Sequence, residues 1–320
     1  MAVLMKDIAQ RANVSVSAVS QALRNTGTLS PRTRHRIIAI AKEMGYVFPD
    51  TERQTRLAVV CPDGSISESE VYNGFYEGIK TSLGDAICLV AAASNPEAFP
   101  ISSITNGSEE IDGVIFFGGE ADHPVLQALV NHGIKCVILN RESNDRRVSA
   151  VSFDNHGAFY EATMHLHGHG HTSFAYIYVQ PMKTWSKMRL EGCKEAVEEI
   201  GGQLEIVSVE RSTDLTEVVR TVSKKATAIL AENDVLAANV LRVASALGLR
   251  VPQDFALLGC DNLQRSKRTN PTISTIDVPF QKIGESAGQL LKDLTNGKYS
   301  YAQLVVPGEL ICRQSCGCEK

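Results

Sequence analysis

The first 46 residues constrain the fold most tightly, because KDIAQRANVSVSAVSQALRN is followed at once by TLSPRTRHRIIAIAKEMGY. Apolar Ile8, Ala9 and Ala12 share one helical face, Asn13 and Val14 make a tight turn, and Ser15 is placed to N-cap a second helix carrying Val16, Val19 and Leu23. Two helices that cross steeply need a residue tolerant of left-handed backbone between them, and after glycine asparagine tolerates it best. A third helix opens at Ser30-Pro31, with serine as cap and proline at the first helical position. It turns Ile37, Ile38, Ala41 and Met44 to the same core and stops at Gly45. Three short helices enclose too small a core for an enzyme, and their order is that of a helix-turn-helix, which implies a DNA-reading unit.

Charge supports that implication. Residues 1–56 hold nine Lys and Arg against four acids, whereas the remaining 264 hold 23 basic and 32 acidic residues. The net charge of −4 therefore hides a basic head of about +5, suited to phosphates, joined to an acidic body of about −9 that repels DNA. At 320 residues and 43% apolar content the chain is long enough for two or three domains. The start, MAVLMKDIAQR, has no long apolar run after a charged region, and no stretch approaches 18 apolar residues. Neither secretion nor membrane insertion is expected, and the cytoplasm is the default compartment.

Of the eight cysteines, Cys61, Cys88, Cys136, Cys193 and Cys260 stand alone in apolar surroundings and read as buried thiols. Cys312, Cys316 and Cys318 cluster in the tail, but a structural zinc site wants four ligands, usually from two separated pairs, and no second pair exists. The alternating His165, His167, His169 and His171 read as a helix end passing through glycines into a strand at Ser173–Tyr178. No metal and no cofactor are expected.

From Leu57 the chain alternates apolar strands with helices, the pattern of parallel α/β sheets. Strands are expected at Leu57–Cys61, Ala86–Ala92, Gly113–Phe117 and Cys136–Leu139, with a helix near Ser69–Leu83. The rhythm restarts with strands Phe174–Val179, Leu204–Val209, Ala228–Leu230 and Phe255–Gly259, separated by helices near Met188–Ile200, Leu215–Lys224 and Asp234–Leu247. Two such units imply two lobes with a ligand cleft at the carboxyl ends of the strands. The chain has no GxSxG, phosphate loop, HExxH or dinucleotide fingerprint, so the cleft reads as a binding site and not an active site.

Beyond the head, IDGVIFF at 111–117, GIKCVILNR at 133–141, VSFDN at 151–155, HLHGHGHTSFAYI at 165–177, RLEGC at 189–193, AENDVLAANVLRVASALGLRVPQDFALLGCDN at 231–262 and NPTISTIDVPFQKIGESAGQLL at 270–291 recur in one family's order. The chain resembles the lactose-repressor (LacI) family of bacterial transcription regulators from Lys6 to the tail. The resemblance implies an α/β protein: an all-α helix-turn-helix head over residues 1–47, a short hinge over 48–56, and an effector-binding and dimerisation body over 57–320. That body would be built like a periplasmic binding protein, with two interleaved lobes of parallel sheets flanked by helices. It also implies a homodimer that sets its second helices in successive major grooves of a near-palindromic operator.

By position, Val16, Ser17 and Gln21 should then face base edges, with core packing as the other reading of Val16. Ser15, Ser20, Arg24, Ser30 and Thr33 should touch phosphates. For the effector, a small and sugar-like metabolite, the resemblance points to Arg189, Asn233 and Asp261 as a polar clamp. Tyr72 and Phe75 in the first lobe, with Lys183 and Trp185 ahead of Arg189, would line the pocket, each aromatic being equally readable as core. Lys183 stands where a nucleobase-binding relative has arginine, which argues against purines. The family's hinge leucine, which wedges into the minor groove, has no counterpart in VFPDTERQTR. The hinge would then bind weakly, bend DNA less or relay the ligand signal differently. Regulation would run by a population shift, with closure of the lobes altering operator affinity, and no residue reports whether ligand releases or tightens DNA. The other readings of the same pattern are a solute-binding protein and a cleft enzyme with a fused DNA-binding head. The tail has no heptad run for a tetramer.

Overall fold

The computed structural model describes residues 3–23, 29–46, 56–61, 70–92 and 111–318. The chain divides into two units, Met1–Thr55 and Arg56–Lys320. Arg24, most of the expected hinge and the side chain of Cys88 lie outside the described residues.

In the first unit, helix α1 (Met5–Ala12) ends where Asn13 adopts the left-handed conformation at φ 51° and ψ 52°, and α2 (Val16–Leu23) starts three residues later. Ser15 Oγ accepts a hydrogen bond from the Ala18 amide at 3.1 Å, which makes it the N-cap of α2. Helix α3 (Pro31–Glu43) starts on proline, and its cap Ser30 accepts from the Thr33 amide at 3.2 Å. The Arg36 guanidinium donates to the Ala12 carbonyl at 3.0 Å and ties α3 to the end of α1. Ile8, Val19, Ile37 and Ala41 are fully buried between the three helices, with Leu23, Ile40 and Met44 packed around them. Ile38, expected in this core, is outside it. One residue on from Ile37 is a 100° rotation, and Ile40, at i+3, takes the inward place.

The second unit begins with β1 (Leu57–Cys61), α4 (Glu70–Leu83), β2 (Ile87–Ala92), β3 (Gly113–Phe117), α5 (Pro124–Asn131), β4 (Lys135–Leu139) and β5 (Val148–Phe153). The chain crosses at Asp154 into a second lobe made of α6 (Asn155–Gly168), β6 (Ser173–Val179), α7 (Thr184–Glu199), β7 (Gln203–Val209), α8 (Thr216–Val222), β8 (Ala228–Ala231), α9 (Asp234–Ala246), β9 (Ala256–Cys260), α10 (Gln264–Lys267) and β10 (Ser274–Asp277). It returns through Val278 and Pro279 to give the first lobe α11 (Phe280–Thr295) and β11 (Gln303–Val306), then crosses again at Pro307-Gly308 to β12 (Glu309–Ile311). The first sheet has the order β11-β5-β4-β3-β1-β2, all parallel. The second has the order β12-β10-β9-β8-β6-β7, with only β12 antiparallel. The two sheets thus draw on interleaved stretches of the chain.

Strands β1, β3, β8 and β9 are buried along their whole length, so they read as unbroken apolar runs. Helices α4 and α11 pack on each other by close backbone approach. A Cβ added at Gly78 of α4 would sit 1.9 Å from the Gln281 carbonyl oxygen of α11, and one at Gly284 would sit 2.1 Å from that of Phe75. Only hydrogen fits at either position.

Candidate effector cleft and DNA-reading helix

The cleft is made by the carboxyl ends of strands from both sheets. Side chains that follow β3, β4, β8 and β9 line a cavity of 390 Å³ between the lobes. Tyr72, Phe75, Trp185, Arg189, Asn233 and Asp261 all line it, and Lys183 lines an adjoining cavity of 710 Å³ that shares Tyr72, Trp185 and Asn233. The structure therefore brings all seven expected effector residues to one cleft, although their environments differ.

Arg189 is the centre of the site. Only 4% exposed, it donates from Nε to Asn155 Oδ1 at 2.7 Å and from Nη1 to the Glu232 carbonyl, and its Nη2 lies 3.5 Å from Asp261 Oδ1. Its guanidinium also covers one face of the Trp185 ring at 4.6 Å, so any ligand stacking on that indole must use the opposite face. Asp261 follows β9 with φ 107°, an unusual backbone for a non-glycine residue, and this turns the chain at the cleft floor. Burial pushes its carboxyl up to about 7, against the downward pull of Arg189 and with the help of nearby Asp234. Asp234 is itself held inside by Thr275 Oγ1 at 2.6 Å and the Leu263 amide at 2.8 Å.

Asn233 N-caps α9, its Oδ1 accepting from the Leu236 amide at 2.9 Å. The oxygen is committed to the helix, and the side-chain nitrogen is left as the group that can serve a ligand. Phe75 is 2% exposed and locked edge-on against Phe117 and Phe280 at 5.6 and 5.0 Å, so it is a core residue that floors the cavity. Tyr72 also packs edge-on against Phe117 at 4.8 Å but stays half-buried at the cavity wall. Lys183, at the entry to α7, is exposed.

Sequence reasoning missed Asn140, Arg141 and Arg211, although Asn140 and Arg141 end the GIKCVILNR block. All three line the cavity. Asn140 has φ 54°, and its buried Oδ1 has no hydrogen-bond partner among the described residues. Arg141 is anchored by Glu120 at 3.1 Å, and Glu120 also accepts from Thr184 Oγ1 of the other lobe at 3.2 Å. A second polar link crosses the cleft where the Gln264 amide donates to Glu70 at 2.9 Å.

In the head, Val16 is 49% exposed, which removes the core reading for it. Ser15, Ser17 and Ser30 are exposed, while Ser20, Gln21 and Thr33 are half-buried. The Ser15 and Ser30 hydroxyl oxygens are occupied as caps. Ser30 and Thr33 also share a hydroxyl hydrogen bond at 2.8 Å, which uses one of their two hydroxyl hydrogens and leaves the other, with that of Ser15, to donate to a phosphate.

A DNA-reading helix-turn-helix followed by a two-lobed binding body defines a ligand-responsive regulator. Residues 4–48 match the family described as bacterial regulatory proteins, lacI family, and residues 163–316 match the periplasmic binding protein-like domain. The regulator DegA of Bacillus subtilis (strain 168) is 27% identical over 333 residues, spanning 97% of this chain and 96% of that protein. Among solved structures, the transcriptional regulator CelR in complex with cellobiose superposes with a TM-score of 0.72 at 24% identity, covering 98% of this chain and 99% of CelR. The lac repressor dimer bound to operator and the anti-inducer ONPF gives 0.69 at 21% identity, with 99% of each chain covered. The chain joins a lacI-family helix-turn-helix domain to a periplasmic binding protein-like domain, and the relatives it matches along its length are transcriptional regulators. No helix among the described residues is long and apolar enough to cross a membrane.

Proposed function

We propose that this regulator binds a near-palindromic operator as a homodimer and that a polyhydroxylated, sugar-like metabolite in the cleft sets its operator affinity. The observation that carries the effector reading is the cleft floor. There Asp261 offers an acceptor, Arg189 and the Asn233 amide offer donors, and the buried Asn140 Oδ1 lacks a partner among the described residues. A buried acceptor without a donor costs about 1–3 kcal/mol, and a ligand hydroxyl would recover that. Tyr72 and the open face of Trp185 supply the apolar walls that sugar rings pack on. CelR, which shares the fold, is described in complex with cellobiose.

Three chain crossings, at Asp154, Val278-Pro279 and Pro307-Gly308, and the polar links of Glu120 and Glu70 join the lobes. A ligand held by groups from both lobes favours one interlobe arrangement over others by its differential binding energy. The family's operator coupling then supplies the readout. Val16, Ser17 and Gln21 are assigned to base edges, with Ser15, Ser20, Arg24, Ser30 and Thr33 on phosphates. DNA as partner places the working protein in the cytoplasm, and binding, not turnover, is the role of the cleft.

Selection of bound sites from a random duplex library with the full-length protein, at two salt concentrations, tests the DNA half of this reading. Enrichment of an inverted repeat whose affinity falls steeply with salt supports it. Retention of random sequence alone at both salts contradicts it.

A further inference from the structure

The tail and the histidine run, read separately in the sequence, meet in space. Three sulfurs, Cys312, Cys316 and Cys318, and one ring nitrogen of His165 all lie within 4.8 Å of one another. His165 Nε2 is 3.6 Å from Cys312 Sγ and 3.4 Å from Cys318 Sγ, and the Sγ atoms of Cys316 and Cys318 are 3.0 Å apart. The edges of a zinc tetrahedron with Zn–S near 2.3 Å and Zn–N near 2.0 Å are about 3.5 Å for N to S and about 3.8 Å for S to S. The His165 distances already match those edges, and the closest sulfur pair needs to open by less than an ångström.

We propose that His165, Cys312, Cys316 and Cys318 form a structural Cys3His site for zinc, or another borderline-soft divalent cation, that closes the C-terminal tail onto α6. Three thiolates and a neutral imidazole are the donor set that zinc prefers when no position is kept open for chemistry. The backbone sets the four ligand residues together. His165 lies in the last turns of α6. Cys312 follows β12, Cys316 ends a single turn of 3-10 helix, and Gly317 at φ 84° folds Cys318 back toward the other two sulfurs. Gly317 is a residue type that takes this backbone freely.

Independent hydrogen bonds hold the tail in place. Ser315 Oγ donates to the Leu257 carbonyl at 2.6 Å and accepts from the Ser274 amide at 2.8 Å, and Gln314 accepts from the Thr272 amide at 2.9 Å. A zinc variant should therefore remain folded. His169 Nε2, 3.4 Å from Cys318 Sγ, is the nearest further imidazole and would compete as a ligand if His165 were lost. The site would join the residues just past one interlobe crossing, Pro307-Gly308, to the helix that begins just past another, Asp154. Strand β12 has three residues and is the antiparallel edge of its sheet, so it is the element that gains most from a staple.

The test measures zinc by elemental analysis in full-length protein purified under reducing conditions, followed by replacement with cobalt. The expected result is about one zinc per chain, reduced at least tenfold in Cys312→Ser and in Cys318→Ser and retained in His167→Ala, with chelation lowering the melting temperature of the wild type. Cobalt should give the intense visible bands of thiolate-rich tetrahedral coordination, weakened in the double variant His165→Ala/His169→Ala. Circular dichroism of the serine variants reads folding separately from metal content. Protein that stays metal-free after incubation with zinc under reductant would overturn the proposal. Zinc retained in the serine variants, or an intact chain two mass units light because Cys316 and Cys318 are oxidised to a disulfide, would do the same.

Discussion

At Asp261 burial outweighs the pull of Arg189, and the carboxyl titrates at about 7 in the folded protein, far above the ordinary carboxylate range. A ligand whose hydroxyls donate to Asp261 binds the ionised form best. Its affinity should rise with pH from about 6 to about 8 and level off above, whereas Asp261→Asn should bind more weakly and without that slope. Isothermal titration at several pH values checks this, and an equal slope in the variant removes Asp261 as the acceptor. The stability sign follows from the same shift. A folded pKa raised above its unfolded value gives stability that is present below about pH 4 and is lost as pH climbs through about 7. The melting temperature of Asp261→Asn relative to wild type should therefore improve between pH 5 and pH 8. At Asn140 the unpartnered amide oxygen makes a further prediction. Asn140→Ala should cost ligand affinity about tenfold while leaving the fold intact, since that oxygen accepts no hydrogen bond from the described residues. An unchanged dissociation constant would show that the oxygen faces water in the complex.

The helices and strands show where sequence carries structure by itself. Asn13, Ser15 and Ser30-Pro31 mark the head because caps and left-handed turns are decided within a few residues, and each appears where expected. The fully buried strands were legible for the same reason. The strands VSAVSF and STID were not assigned from local rhythm, because serine and threonine interrupt their apolar pattern while the sheets bury them. The meeting of His165 with Cys312 was beyond local reading, since 147 residues separate them and only the crossing chain brings β12 beside α6. In the cleft, the family resemblance could nominate Arg189 and Asp261, but it could not show that Asn233 gives its oxygen to a helix or that Phe75 belongs to the core. Two substitutions test the element scale. Ser15→Ala should destabilise the head by about 1 kcal/mol, with hydrogen exchange accelerated in α2 and unchanged in the body. Gly78→Ala, which sets a methyl against the Gln281 carbonyl, should force α4 and α11 apart and lower the melting temperature of the body by several degrees. A neutral result would mean that the two helices slide easily.

At the scale of the whole molecule, the chain joins a basic head to an acidic body and gives the body two lobes that share three crossings. Glu120 reaches Arg141 in its own lobe and Thr184 in the other, so it senses both the pocket and the interlobe arrangement. In the proposed function, occupancy of the cleft and affinity for DNA are one coupled equilibrium, and coupling in such systems is typically about 5–150-fold. The most direct measurement is the operator dissociation constant with and without a saturating sugar-like ligand taken from a thermal-shift screen, for the wild type and for Arg189→Lys. A ligand-dependent shift is expected in the wild type and should collapse in Arg189→Lys, while the ligand-free operator affinity of the two proteins stays the same. A ligand that binds the cleft yet leaves operator affinity unchanged, or a shift of equal size in both proteins, would contradict it.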